Sequence, residues 1–168
     1  LYGSPGVGKS AVMEMLYNYD CLIRGRDPNP IFKYQVPSDS DHFDNYRSWY
    51  HTIVLDDAGQ HSPSKINGVD PSTGMVIRIA NNQSFCPPQA SLEDKGKTPM
   101  LVDLMFVTTN VLDLNLPIYY PKSYAPMRRL KVHIEPIVKP EFCKENGKDI
   151  DPNKAIGRGT YDDFWYFK

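Results

Sequence analysis

Gly3, four intervening residues and then Gly8-Lys9-Ser10 form a spacing that can cradle phosphate. Glycines let the backbone turn through left-handed conformations, so that several N–H groups converge on one point. A helix starting near Lys9 adds the positive end of its dipole. Within Gly3-Ser4-Pro5-Gly6-Val7-Gly8-Lys9-Ser10, Lys9 is a point charge for the β- and γ-phosphates of a nucleotide, and Ser10 offers a hydroxyl to Mg²⁺.

Further groups along the chain could complete such chemistry. Asp56 and Asp57 follow the apolar run Thr52-Ile53-Val54-Leu55. A carboxylate at that place, Asp56, can hold Mg²⁺ beside Ser10. Asp57 is the candidate to orient or deprotonate an attacking water. Gln60 either helps place that water or is an ordinary loop residue. Asn110 closes the run Leu104-Met105-Phe106-Val107-Thr108-Thr109, where its amide can meet a γ-phosphate or a water. Arg128-Arg129 is either an exposed basic pair or an arginine finger that reaches a neighbouring subunit's γ-phosphate. Lys95 and Lys97 flank Gly96 in a charged turn. They suit either a loop touching nucleic-acid phosphates or plain solvation beside Glu93 and Asp94.

The elements that must position these groups alternate. Lys9 to about Tyr19 has helical spacing, with Val12, Met13 and Leu16 recurring. Ile31–Val36 alternates as a short strand. Ser38–Asp41 reads as a polar turn, and 42–49 as a short helix or an irregular loop. Thr52–Leu55 reads as a strand buried on both faces, as in a parallel sheet. Gly59–Gly68 reads as loop. Pro71 to about Asn81 is expected to be helical, with Pro71 in its first turn. Leu104–Thr109 is a third strand, Leu112–Pro121 a loop, and Leu130–Glu135 a final alternating strand. From Pro136 onward prolines and glycines suggest irregular structure, ending in the apolar Phe164-Trp165-Tyr166-Phe167. Strands separated by helices indicate an α/β three-layer sandwich with a mostly parallel sheet. In such folds ligands sit at the carboxyl ends of strands, where the glycine loop, Asp56-Asp57 and Asn110 all fall.

The chain has 168 residues, 40% of them hydrophobic and 23% charged, which suits one globular domain. Its net charge of −1 leaves no global basic field, so any nucleic-acid contact must be local. The three cysteines, Cys21, Cys86 and Cys143, are widely separated, which argues against a zinc site or a disulfide framework and fits a reducing compartment. No apolar run is long enough to span a membrane. A phosphate loop normally follows a buried strand, of which only Leu1-Tyr2 is present. The expectation is a fragment of a larger protein with its first strand truncated.

These residues together resemble the superfamily 3 helicases of picornavirus-like positive-strand RNA viruses. Gly3–Ser10 is similar to that family's motif A. His42-Phe43-Asp44-Asn45-Tyr46 and Thr52–Gln60 resemble its aromatic lead-in and motif B. Pro87–Gly96 is similar to the segment before motif C, Val107–Asn110 to motif C, and Arg128-Arg129 to the arginine-finger position. The resemblance spans residues 1 to about 135. It implies a P-loop NTPase core of the AAA+ type over 1–135, with 136–168 as an extension of the same domain. It further implies ATP and Mg²⁺ at the boundaries of a homo-oligomeric ring, expected as a hexamer, with ATP hydrolysis coupled to movement on single-stranded or duplex RNA. Other viral replication proteins would be partners. The setting would be membranous replication complexes in the host cytoplasm, with membrane contact only through segments missing here. The cysteine-rich zinc element of some relatives has no counterpart. A replication-initiator helicase of a small DNA virus, or a nucleotide-binding RNA chaperone without unwinding, shares part of the pattern.

Overall fold

The computed structural model describes residues 1–37, 42–61, 70–122, 124–155 and 163–168. The expected turn at Ser38–Asp41 and most of the Gly59–Gly68 loop lie outside these, as do Gly157 and Gly159. Helix α1 (Lys9–Arg24) runs further than its first apolar residues suggest, because Tyr17 and Cys21 continue the buried stripe begun by Val12 and Met13. It stops at Gly25. That residue is left-handed (φ 63°), with its N–H on Leu22 O at 3.2 Å and the Arg26 N–H on Cys21 O at 2.8 Å, a Schellman closure.

Strands β1 (Lys33–Gln35), β2 (Thr52–Leu55) and β3 (Leu104–Val107) form a parallel sheet in the order β1-β2-β3. The expected strand at Ile31–Val36 is shorter, since Pro30–Phe32 makes a 3-10 turn capped by the Asn29 side chain. β2 is buried along its whole length, as a central parallel strand requires. Its register sets Leu55 opposite Val107, so the residues that follow both strands emerge at one level. Leu1–Gly3 lie alongside the end of β3. The Leu1 N-terminus donates to Val107 O (2.8 Å), the Thr109 N–H to Leu1 O (3.0 Å) and the Gly3 N–H to Thr109 O (3.2 Å).

The segment 42–49 makes turns rather than a helix, and its aromatics go inward. Phe43 and Tyr46 are buried beside Tyr34, with the Tyr34 and Tyr46 rings edge-on at 5.2 Å. Ile53, Leu55, Met75, Val76, Leu114 and Leu116 complete this core. Helix α2 (Pro71–Ile79) begins, as read, with Pro71 in its first turn. Its cap is the buried Asp70, whose carboxylate accepts from the Ser72 N–H at 2.9 Å. The loop expected at Leu112–Pro121 contains one helical turn, α3 (Leu116–Tyr119), and a second, α4 (Tyr124–Met127), precedes Arg128.

One strand is misplaced by the sequence reading. Leu130–Glu135 is not a strand: Val132 is 74% exposed, and among the described residues only the end of the segment is bonded to distant backbone, Ile134 O accepting from the Tyr2 N–H and Glu135 exchanging two backbone bonds with Lys168. Alternation of residue types does not make a strand without a partner along its length. Pairing begins instead at β4 (Pro136–Val138), antiparallel to β5 (Trp165–Phe167). Between them lie a 3-10 turn at Pro140–Phe142 and the short α5 (Pro152–Ala155). This tail builds a second core in which Val138, Phe142, Phe164 and Trp165 pack with Val7 and Val12.

Ile53 is fully buried at the centre of β2. Truncation to alanine is expected to cost ~2–5 kcal/mol, read as a lower denaturant midpoint with an unchanged slope.

Candidate nucleotide-binding site

The loop from Gly3 to Gly8 leaves the edge of β3 and enters α1. Gly8 is the helix N-cap and has no side chain with which to cap it, so the first-turn N–H groups are left for an anion. The Lys9 ammonium folds back over the loop. It donates to Gly3 O (2.9 Å), Ser4 O (3.2 Å) and the Asn110 Oδ1 (2.7 Å). Burial pulls the Lys9 pKa below its ordinary value, while Asp57 and Asp56 pull it back up. A cation held among carbonyl oxygens beside two carboxylates is set to meet phosphate.

Thr108 organises the acids. Its hydroxyl donates to Asp56 Oδ1 at 2.5 Å and accepts from the Asp57 N–H at 2.9 Å. The Ala58 N–H reaches Thr108 O at 2.8 Å. Thr108 is 1% exposed, so these bonds are shielded at its end, whereas both acids are exposed. Asp57 is left-handed (φ 53°), which turns the chain between the two acids.

A cleft of about 380 Å³ joins these groups. The loop contributes Pro5, Gly6, Gly8, Lys9 and Ser10; the strand ends contribute Asp56, Asp57, Thr108 and Asn110; the tail contributes Ile150. Both acids also border a second cavity, lined by Gln35, Val36, Pro37, Gln60 and His61. Gln60 therefore shares a space with Asp57. Of the other loop residues, Gly3 and Ser4 serve Lys9 through their carbonyls, and Val7 is buried in the tail's core.

The turn after the acids is fastened to the segment after Asn110. Asn115 Nδ2 donates to Gly59 O at 2.7 Å and the Tyr119 hydroxyl to His61 O at 2.7 Å. Gly59 is left-handed (φ 72°), and a Cβ on it would lie 2.7 Å from Leu114 O. Only glycine fits there.

The remaining candidates lie outside the cleft. Arg128 is exposed. Arg129 is committed to backbone, its Nε on Ala80 O (3.0 Å) and its Nη1 on Ala125 O (2.6 Å). Lys95 and Lys97 are exposed in a turn closed by the Lys97 N–H on Asp94 O. Sequence reasoning gave Thr108 no role. Its signal was a polar residue at the buried end of an apolar strand. It also missed Ile150, for which the sequence carries no signal.

A parallel sheet with a phosphate loop, paired acids and a polar amide at its carboxyl ends defines a P-loop nucleoside-triphosphatase. The RNA helicase family matches residues 1–111, and the chain belongs to that family. It is 32% identical over 156 residues to the genome polyprotein of Human enterovirus 70 (strain J670/71), covering 93% of this chain and 6% of the polyprotein. It is 33% identical over 157 residues to the genome polyprotein of Human rhinovirus C (strain C15), again 93% of this chain and 6% of that one. These relatives bear out the likeness to the helicases of picornavirus-like viruses. The chain spans only a small part of them, and at 156 residues the similarity runs past 135 into the tail.

Thr108→Val would orphan the Asp57 N–H and release Asp56. Stability is expected to fall by ~1–3 kcal/mol. Thr108→Ser, which keeps the hydroxyl, should recover most of the loss in the same thermal or denaturant titration.

Gly59→Ala, by contrast, should weaken the protein through the collision with Leu114. It is expected to cost ~1–3 kcal/mol on the same titration, with no rescue by Gly59→Ser.

Proposed function

We propose that the chain is the ATP-hydrolysing core of a viral RNA replication helicase. The observation that carries this reading is the single cleft in which Lys9, Asp56, Asp57 and Asn110 meet at the ends of adjacent parallel elements. The residues present fit a magnesium nucleotide. Gly3–Ser10 surrounds the phosphates with N–H groups, and Lys9 exchanges carbonyl oxygens for phosphate oxygens. Ser10 and Asp56 would hold Mg²⁺, which when bound would supply charge neutralisation to the phosphates. Asp57 accepts the proton of the attacking water, with Gln60 beside it. Asn110, already bonded to Lys9, senses the γ-phosphate.

The finer architecture belongs to the same reading: an AAA+-type three-layer core over 1–135, continued by 136–168, assembled as a hexameric ring with ATP at subunit boundaries. Arg128 is then the finger acting on a neighbour. Arg129, tied to Ala80 and Ala125, fixes the short helix that presents it. Lys95 and Lys97, in their exposed turn, touch RNA phosphates. Other viral replication proteins are partners, and the setting is membranous replication complexes in the host cytoplasm. The genome polyproteins among the relatives favour this over a DNA-virus initiator. The paired acids and Asn110 favour turnover over mere binding, which needs neither.

Lys9→Ala is expected to lower ATP turnover by about 10²–10³-fold, the scale on which one preorganised charge-stabilising donor acts. Full retained activity would remove the loop from the site. Mixing Arg128→Ala subunits with Asp57→Asn subunits should restore part of the turnover that each lacks alone. No restoration at any mixing ratio would contradict a finger acting across an interface.

A further inference from the structure

We propose that Trp165, together with Ile150, is a positioning element of the phosphate loop, so that the C-terminal segment sets nucleotide affinity. The proposal rests on the nucleotide-site reading above. The Trp165 Nε1–H donates to Val7 O at 2.7 Å, across 158 positions of sequence. The Ile150 N–H donates to Gly6 O at 3.1 Å. Two successive carbonyls of the loop are thus held by the tail.

A trans peptide unit carries its C=O and N–H on opposite sides. Holding the Gly6 and Val7 carbonyls toward the tail therefore turns the N–H groups of Val7 and Gly8 away from it. Those are groups a phosphate would take, and neither has a partner among the described residues. The indole also sets the shape of the loop. A Cβ on left-handed Gly8 (φ 89°) would lie 2.8 Å from its Cζ2, so the ring fits only against glycine.

The holder is itself rigid. Trp165 is 7% exposed, lies edge-on to Phe164 at 5.4 Å, and is paired through β5 with Val138 of β4. Ile150 is fixed by its bridge to Cys143 and also borders the cleft. Nucleotide and tail therefore act on the same two peptide units from opposite sides. Each should strengthen the other's hold.

The test compares ADP–Mg²⁺ binding to the full chain and to Trp165→Phe by calorimetry, with ATP turnover measured alongside. Phenylalanine keeps an aromatic ring and loses the N–H. Binding is expected to weaken about three- to tenfold, the worth of one net hydrogen bond, while turnover at saturating ATP stays within about twofold. Should Trp165→Phe fail to fold, 5-fluorotryptophan in the unsubstituted chain supplies the readout. Of its two tryptophans, Trp49 is 63% exposed and Trp165 is buried, so two ¹⁹F resonances are expected, and the solvent-shielded one should shift on adding ADP–Mg²⁺. Equal ADP affinity in the variant, or a buried resonance indifferent to saturating ADP, overturns the role of the tail and leaves the nucleotide site standing. Absence of ADP binding by the unsubstituted chain overturns both.

Discussion

The site depends on the parallel register of β2 and β3. With Leu55 opposite Val107, Asp56 emerges beside Thr108, and one hydroxyl can hold an acid and the next residue's N–H together. A slip of one residue would exchange the faces of every side chain after the strands. The four buried residues of β2 and the core that covers them are what prevent that slip. Burial in this sheet thus acts on function through geometry: it fixes where the polar strand ends lie.

The phosphate loop is pinned against that frame from three directions. Its amino end is bonded to the extension of β3, its lysine reaches Asn110, and its middle is held by the tail. Burying the Lys9 ammonium costs solvation, which three oxygen acceptors and two nearby carboxylates offset in part. The loop is consequently formed with the Gly6 and Val7 carbonyls engaged and with the Val7 and Gly8 amides unpaired among the described residues. Little ordering would remain to be done when a triphosphate arrives, which favours affinity.

Much of this was legible in the chain because the signals are local. The Gly-x₄-Gly-Lys-Ser spacing, the continuous apolar run before Asp56-Asp57 and the Pro71 helix start each carry their cause within a few residues. What was not legible depends on partners far away. Leu130–Glu135 alternates convincingly, yet among the described residues only Ile134 and Glu135, at its end, bond to distant backbone, where a strand needs a ladder along its length. The true strand starts at Pro136, whose missing N–H made it look like a break although an edge position tolerates it. Trp165 shows nothing but apolar character in sequence. Its bond to Val7 exists only because β4 and β5 pair and carry the ring back to the loop. Thr108 lies between these cases: a hydroxyl at the buried end of an apolar strand asks for a partner, but the sequence does not name Asp56.

We propose that the loop, the acids and Asn110 together enclose one magnesium nucleotide. Electron–nuclear double resonance with Mn²⁺ in place of Mg²⁺ and a slowly hydrolysed ATP analogue tests it most directly. Hyperfine coupling from the metal to the β- and γ-phosphorus is expected in the unsubstituted protein, and its loss is expected in both Ser10→Ala and Asp56→Asn. A Mn²⁺–nucleotide complex that binds with the same couplings in both variants would contradict the account.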